Sequence, residues 1–254
     1  MPFATNRGQR IHYTVDGSGS LVVLQHGLLM DAGSWRDSGF IGALADRFRV
    51  ACIDSLGHGF SDKPSDPGLY GQRQRAGDIV AVIEALGHER AHLLGYSMGG
   101  WMAVAVAKFH PDRLATLVIG GWDPVNGLPA GPNGPVAFDP FMIFARRTAP
   151  ALTRWVTPDV KPGVRACFEA MSQLEGARET IVTARFPVLF WQGRGDTGHD
   201  RMQSFAASNG FPFLSSSGDH VAAVLKPDAG AIQGIRSFFE TGGAPPFAIS
   251  GTSA

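Results

Sequence analysis

The chain has no excess of charge of either sign: 22 basic residues are matched by 22 acidic ones among 254. There is no basic run either, so the electrostatic footprint of a nucleic-acid or membrane-surface binder is missing and neither partner is expected. Charge is sparse altogether, 17% of residues against 44% hydrophobic, which excludes a disordered chain and points to a compact globule with a small, largely uncharged ligand. Cysteine is nearly absent. Cys52 lies in the apolar run Val50–Ile53 and reads as a small buried residue, and nothing pairs it with Cys167. The opening Met1-Pro2-Phe3-Ala4-Thr5-Asn6-Arg7 lacks the basic-then-apolar pattern of a secretory signal. No apolar run approaches the roughly 20 residues of a membrane span. A cytoplasmic location is the default expectation. Repeats are missing too.

What is present is an alternation. Short apolar runs rich in β-branched residues are separated by segments of helical spacing, the pattern of an α/β fold with a mostly parallel sheet covered by helices. Arg10–Val15 alternates and ends in Asp16-Gly17-Ser18-Gly19, as a half-exposed early strand would. Leu21–Gln25 and Val50–Asp54 are continuous apolar runs, expected where both faces of a strand are covered. Further strands are predicted over 91–95, 114–119, 188–191 and 211–214, the last at an edge because of Pro212. Helices are predicted over 35–48, 76–86, 98–110 and 229–239. Residues 122–185 break the alternation with a Gly/Pro-rich passage and then aromatic pieces. They read either as a lid over a site or as helices packed on the sheet. The expected organisation is a core of 1–121 and 186–241, a cap of 122–185, and a frayed tail from 242.

The chemistry centres on Gly95-Tyr96-Ser97-Met98-Gly99-Gly100. A Gly-x-Ser-x-Gly pattern alone decides little, since this composition produces about 0.3 of them per chain by chance. Its setting decides more: a buried-strand run precedes it and a helix follows, the strand–turn–helix context of a nucleophile elbow. A hydroxyl needs a base. Of eight histidines, His220 stands between the last strand and the last helix, at the edge where Ser97 is expected. His199 is a weaker rival, and His12, His88, His92 and His110 read as surface or packing residues. The base needs a carboxylate to fix its tautomer. Asp196 follows the 188–191 strand, with Asp123 after the preceding strand as the alternative acid and Asp200 a further rival. Donors for a tetrahedral oxyanion are expected from the backbone N–H groups of Leu28, after the 21–25 strand, and Met98, at the helix start.

The set His26-Gly27-Leu28, Asp54–Pro64, Gly95–Gly100, Gly195-Asp196 and Asp219-His220 resembles the α/β-hydrolase superfamily across nearly the whole chain. The resemblance implies an eight-stranded, mostly parallel sheet flanked by helices and a small helical cap inserted after strand 6. It also implies no cofactor and no metal, with a Ser97–Asp196–His220 triad in the family's chain order. One departure is Leu56, where such loops usually carry arginine, which bears on loop anchoring. His26 and His58 in such loops are expected to be structural.

Serine at 97, where the fold's dehalogenases and epoxide hydrolases carry aspartate, argues against those two activities. The expected reaction is hydrolysis of a small-to-medium, largely apolar carboxylic ester or lactone. Alternatives on the same triad are C–C bond hydrolysis, acyl transfer and perhydrolysis, and a ligand-sensing relative with slow turnover is the non-enzymatic one. Leu29, Trp101, Trp122, Phe138 and Phe141 are candidate pocket walls, each also explicable as core.

Overall fold

The computed structural model describes residues 1–128, 130, 131 and 134–244, with the backbone alone described at 130, 131, 134 and 135. In chain order the elements are β1 (Phe3–Asn6), β2 (Gln9–Asp16), β3 (Ser20–Gln25), α1 (Ser34–Asp37), α2 (Phe40–Leu44), β4 (Phe48–Ile53), α3 (Gln72–Ala85), β5 (Ala91–Tyr96), α4 (Met98–Phe109) and β6 (Leu114–Gly120). A two-residue hairpin, β7 (Ala130–Gly131) with β8 (Gly134–Pro135), then leads into α5 (Phe138–Thr148), α6 (Pro150–Thr153), α7 (Lys161–Ala170) and α8 (Ala177–Val182). The chain closes with β9 (Val188–Gly193), α9 (His199–Ser208), β10 (Phe213–Ser216), α10 (Ala222–Leu225) and α11 (Ala229–Glu240). Most of the tail expected to fray lies outside the described residues.

Eight strands form one sheet in the order β1-β2-β4-β3-β5-β6-β9-β10, antiparallel at β1/β2 and β2/β4 and parallel from β4 onward. The parallel strands β3, β5, β6 and β9 are buried on both faces, which is why they read as unbroken apolar runs rather than alternating ones. One core lies between the sheet and α3, α4 and α8, and the other between the sheet and α1, α2 and α11. Parallel strands all end on the same side, so the loops after β3, β5, β6, β9 and β10 converge on one rim. Ligands bind at that rim in open α/β sheets.

The structure departs from the expected elements in instructive ways. The single helix expected over 35–48 is two short ones, α1 and α2, because Gly39 takes φ 87° and breaks the spiral between them. Phe48 already belongs to β4. Helix α3 starts at Gln72, four residues before Ala76. Its first turn is polar in sequence, yet Arg75 is fully buried and pairs with Asp78 at 3.4 Å. The last strand begins at Phe213, just after Pro212 rather than across it, and is the edge strand expected. Strand β1 is not among the expected elements.

Between β6 and β9, α5 to α7 lie across the loops after β3 and β4. The Cys167 thiol approaches the Leu56 carbonyl at 3.6 Å, Gly163 packs on Tyr70 and Pro64, and the Trp155 indole reaches Leu29. Helix α8 instead packs against α4 in the helical cover of the sheet. Among the described residues no helix is long and apolar enough to cross a membrane.

The turn at Ser97 shows why its neighbours are glycines. A Cβ at Gly95 would overlap the Gly99 carbonyl, and a Cβ at Gly99 would overlap the Gln25 carbonyl at the end of β3. Backbone, not a flexible side chain, is in the way. Gly99→Ala is therefore expected to cost about 3 kcal/mol of stability, at the upper end for overpacking. Denaturant titration checks it; an unchanged midpoint would mean that α4 can slide away from β3.

Candidate active site

Ser97 sits between β5 and α4 with φ 56° and ψ −116°, a conformation that L residues avoid. It holds because the serine N–H donates to the Gly120 carbonyl at 2.8 Å and its carbonyl accepts from Trp101 at 3.0 Å. Such strain costs about 1–3 kcal/mol and persists where surroundings enforce it. Of three non-glycine residues with positive φ among the described residues, Ser97 and Leu29 are both at this rim, and Arg7 is in the β1–β2 turn.

His220 Nε2 lies 3.0 Å from Ser97 Oγ, and His220 Nδ1 lies 2.6 Å from Asp196 Oδ2. The loops bearing the imidazole and the carboxylate are tied together by backbone. Arg194 N–H donates to the Ser216 carbonyl at 2.8 Å and Gly195 N–H to the Gly218 carbonyl at 2.9 Å. Asp219 accepts the N–H groups of Val221 and Ala222 at 3.0 and 2.8 Å, which fixes the turn around His220. Tyr96, wholly buried beneath, donates its hydroxyl to the His220 carbonyl at 2.7 Å. Burial pushes the Asp196 carboxyl upward, but the hydrogen bond and charge of His220, the Gly198 N–H and the Gln192 side chain outweigh it, and the net shift is downward. Asp196 is thus held as a carboxylate, with its side chain 8% exposed, under an imidazole that is 42% exposed.

The rival acids are engaged elsewhere. Asp123 accepts the N–H groups of Val125 and Asn126 at 2.8 and 2.9 Å, the Asn126 amide at 3.0 Å and Arg201 Nε at 2.6 Å. It closes a turn and makes an ion pair, and His220 Nδ1 meets Asp196 instead. Asp200 is exposed and meets His199 Nδ1 at 2.8 Å, while His199 Nε2 meets Ser215 Oγ at 2.8 Å. His199 therefore faces the edge strand rather than Ser97. His12 is buried, not on the surface, with Nδ1 2.7 Å from Asp54.

The loop after β3 lies against Ser97: a Cβ on Gly27 would stand 3.2 Å from the serine Cβ. Among the described residues no acceptor takes the N–H of Leu28 or of Met98. Two buried imidazoles shape this loop. His26 Nδ1 donates to the Gly27 carbonyl at 2.8 Å and its Nε2 accepts the Ser55 N–H at 3.0 Å. His58 Nε2 accepts the Leu29 N–H at 3.3 Å. Burial lowers the pKa of both, that of His58 further still because His26 and Arg75 add to it, so both are neutral with the proton on Nδ1. The Leu56 carbonyl is held at 3.1 Å by Arg75, a guanidinium supplied from α3 to a loop that lacks an arginine of its own at 56.

The expected pocket walls divide. Leu29 is at the rim and Trp122 packs on Gly100 in the first turn of α4. Trp101 is buried and donates its indole N–H to the Gln173 carbonyl at 3.0 Å, tying α4 to the insertion. Phe138 and Phe141 pack on Phe168, at 5.7 and 4.9 Å between centroids, as a small core within the insertion. The residues that sequence reasoning missed are Tyr96 and Trp155, each acting through a contact with a distant segment, and Gln192, whose side chain bonds Asp196 four residues further on. Among the described residues no group of three or more His, Cys, Asp or Glu side chains is arranged to hold a metal ion.

Comparison with known proteins agrees with this fold. A family model described as the alpha/beta hydrolase fold matches residues 20–141. A protein named putative carbamate hydrolase RutD from Azorhizobium caulinodans is 25% identical over 262 residues, covering 90% of this chain and 94% of that one. Epoxide hydrolase B from Mycobacterium tuberculosis is 39% identical over 138 residues, 50% of this chain but only 38% of that protein. Among solved structures, the enol-lactonase from Burkholderia xenovorans LB400 superposes with a TM-score of 0.71 at 25% identity, over 87% of this chain and 94% of that one. The chain has the alpha/beta hydrolase fold and is similar to hydrolases along most of its length.

Proposed function

We propose that the protein is a serine hydrolase that cleaves a small-to-medium, largely apolar carboxylic ester or lactone through an acyl-enzyme on Ser97. The observation that carries this reading is the relay of contacts from Ser97 Oγ to His220 Nε2 at 3.0 Å and from His220 Nδ1 to Asp196 at 2.6 Å, at the strained turn before α4. Ser97 Oγ attacks the ester carbonyl while His220 Nε2 takes its proton, and the ionised Asp196 stabilises the imidazolium. The carbonyl oxygen, now an oxyanion, receives the N–H groups of Leu28 and Met98. His220 returns the proton to the leaving alkoxide as the C–O bond breaks. A water, deprotonated by the same imidazole, then attacks the acyl carbon; the bond to Ser97 Oγ breaks, the imidazolium returns the proton to that oxygen, and the acid is released. In a lactone the leaving alkoxide stays attached and one hydroxy acid results.

The ester or lactone reading is supported by likeness to an enol-lactonase, and a carbamate, named in the relative from Azorhizobium caulinodans, presents the same kind of carbonyl to the serine. Helices α5 to α7 form a lid over the rim in this proposal, with Leu29 and Trp122 as the nearer walls. A fluorophosphonate probe is expected to label the protein at one residue, identified as Ser97 by peptide mass. A panel of aryl esters, lactones, aryl carbamates and β-diketones is expected to rank esters and lactones highest in kcat/KM. Labelling elsewhere, or a panel led by the diketones, overturns the assignment.

A further inference from the structure

Leu29, which has a side chain and so avoids positive φ, is held at φ 70°, one position after the expected oxyanion donor Leu28. Both of its backbone polar groups are engaged by side chains. Its N–H donates to His58 Nε2 at 3.3 Å, and its carbonyl accepts the indole N–H of Trp155 at 3.1 Å. The two side chains also pack on each other, with ring centroids 5.1 Å apart. His58 comes from the loop after β4, whereas Trp155 comes from the turn after α6, in the insertion. The odd conformation at Leu29 is thus clamped from two sides by segments 29 and 126 residues away. Strain that is over-determined in this way marks a place where geometry has a task.

We propose that Trp155 and His58 are positioning residues that hold the Leu28 N–H in place for the oxyanion, so that the oxyanion loop is set correctly only when the insertion is seated on it. The inference rests on the acyl-enzyme reading above. It assigns to the insertion a role in transition-state stabilisation beyond covering the substrate. The neutral state of His58 is part of the device, since a proton on Nε2 would remove the acceptor that Leu29 N–H requires. Trp155 acts through the Leu29 carbonyl and touches no reacting atom.

A donor that is loosened rather than lost costs less than the 10²-fold or more of outright removal. Trp155→Phe keeps a ring against His58 and removes only the N–H. It is expected to lower kcat on an aryl ester roughly 10-fold with KM within twofold, the mark of an interaction made in the transition state alone. Phenylboronic acid, which adds to Ser97 Oγ as a tetrahedral mimic, is expected to bind Trp155→Phe more weakly by the same factor. His58→Leu should repeat the pattern, and His58→Gln, whose amide oxygen can accept the Leu29 N–H, should restore most of kcat. Each variant is assayed below its own melting transition. If the wild type is labelled at Ser97 and turns over, but Trp155→Phe and His58→Leu keep kcat within twofold or leave boronate affinity unchanged, this inference fails alone. If the wild type is neither labelled at Ser97 nor active, the proposed function fails instead.

Discussion

Replacing Ser97 by alanine is expected to lower turnover of a short aryl ester on the order of 10³-fold or more while leaving stability within about 0.5 kcal/mol. Only the hydroxyl proposed to attack is lost, and the Cβ that makes φ 56° costly remains. Ser97→Gly separates the two effects. Glycine adopts this backbone without strain, so it should be as inactive as alanine yet about 1 kcal/mol more stable, the relieved strain exceeding glycine's extra chain entropy. Chemical denaturation and a single-substrate assay on the same preparations check both halves. An alanine variant that keeps most of its activity removes Ser97 from the chemistry. A glycine variant less stable than the alanine one means that the turn is not strained.

The alternation of strand and helix was legible because the buried strands carry unbroken apolar runs, and because Gly95 and Gly99 punctuate the turn where α4 comes within van der Waals reach of β3. Ser97 and His220 could be paired from the sequence since both follow parallel strands, and parallel strands deliver their loops to one rim. Periodicity failed where the buried face is polar. Arg75 and Asp78 lie buried as an ion pair, and no hydrophobic count marks the first turn of α3. It failed again at β1, whose four residues include one buried apolar side chain, Ala4. Position and the Gly195-Asp196 pattern favoured Asp196 over Asp123, but both follow central strands, and what the sequence did not show is that Arg201, in the first turn of α9, captures Asp123. Tyr96 and Trp155 belong to the same class, since a single hydrogen bond across more than a hundred residues leaves no local pattern.

That choice of acid yields the second large effect. Asp196→Asn is expected to lower kcat by about 10³ to 10⁴ with little change in KM. The amide can turn its NH₂ toward His220 Nδ1, which leaves the proton on Nε2, where it blocks acceptance of the Ser97 proton. It also removes the charge that stabilises the imidazolium. Asp123→Asn is the matched control. Its amide oxygen still accepts the Val125 and Asn126 N–H groups, while the NH₂ takes the place of the oxygen that accepts from the Asn126 side chain and the half-exposed Arg201, so those two contacts are lost. The expected cost is about 1 kcal/mol of stability, with turnover within threefold. Acid titration of the wild type adds a signed check. Asp196 has a depressed folded pKa, so its ionised form stabilises the protein fully above the unfolded value near 3.8, and that stabilisation is lost as pH falls through the folded one. The Asp196→Asn variant should lack this component of the acid transition and so show a shallower loss of stability below pH 3.8. Equal losses of kcat in the two asparagine variants would mean that the carboxylates act through the fold rather than through His220.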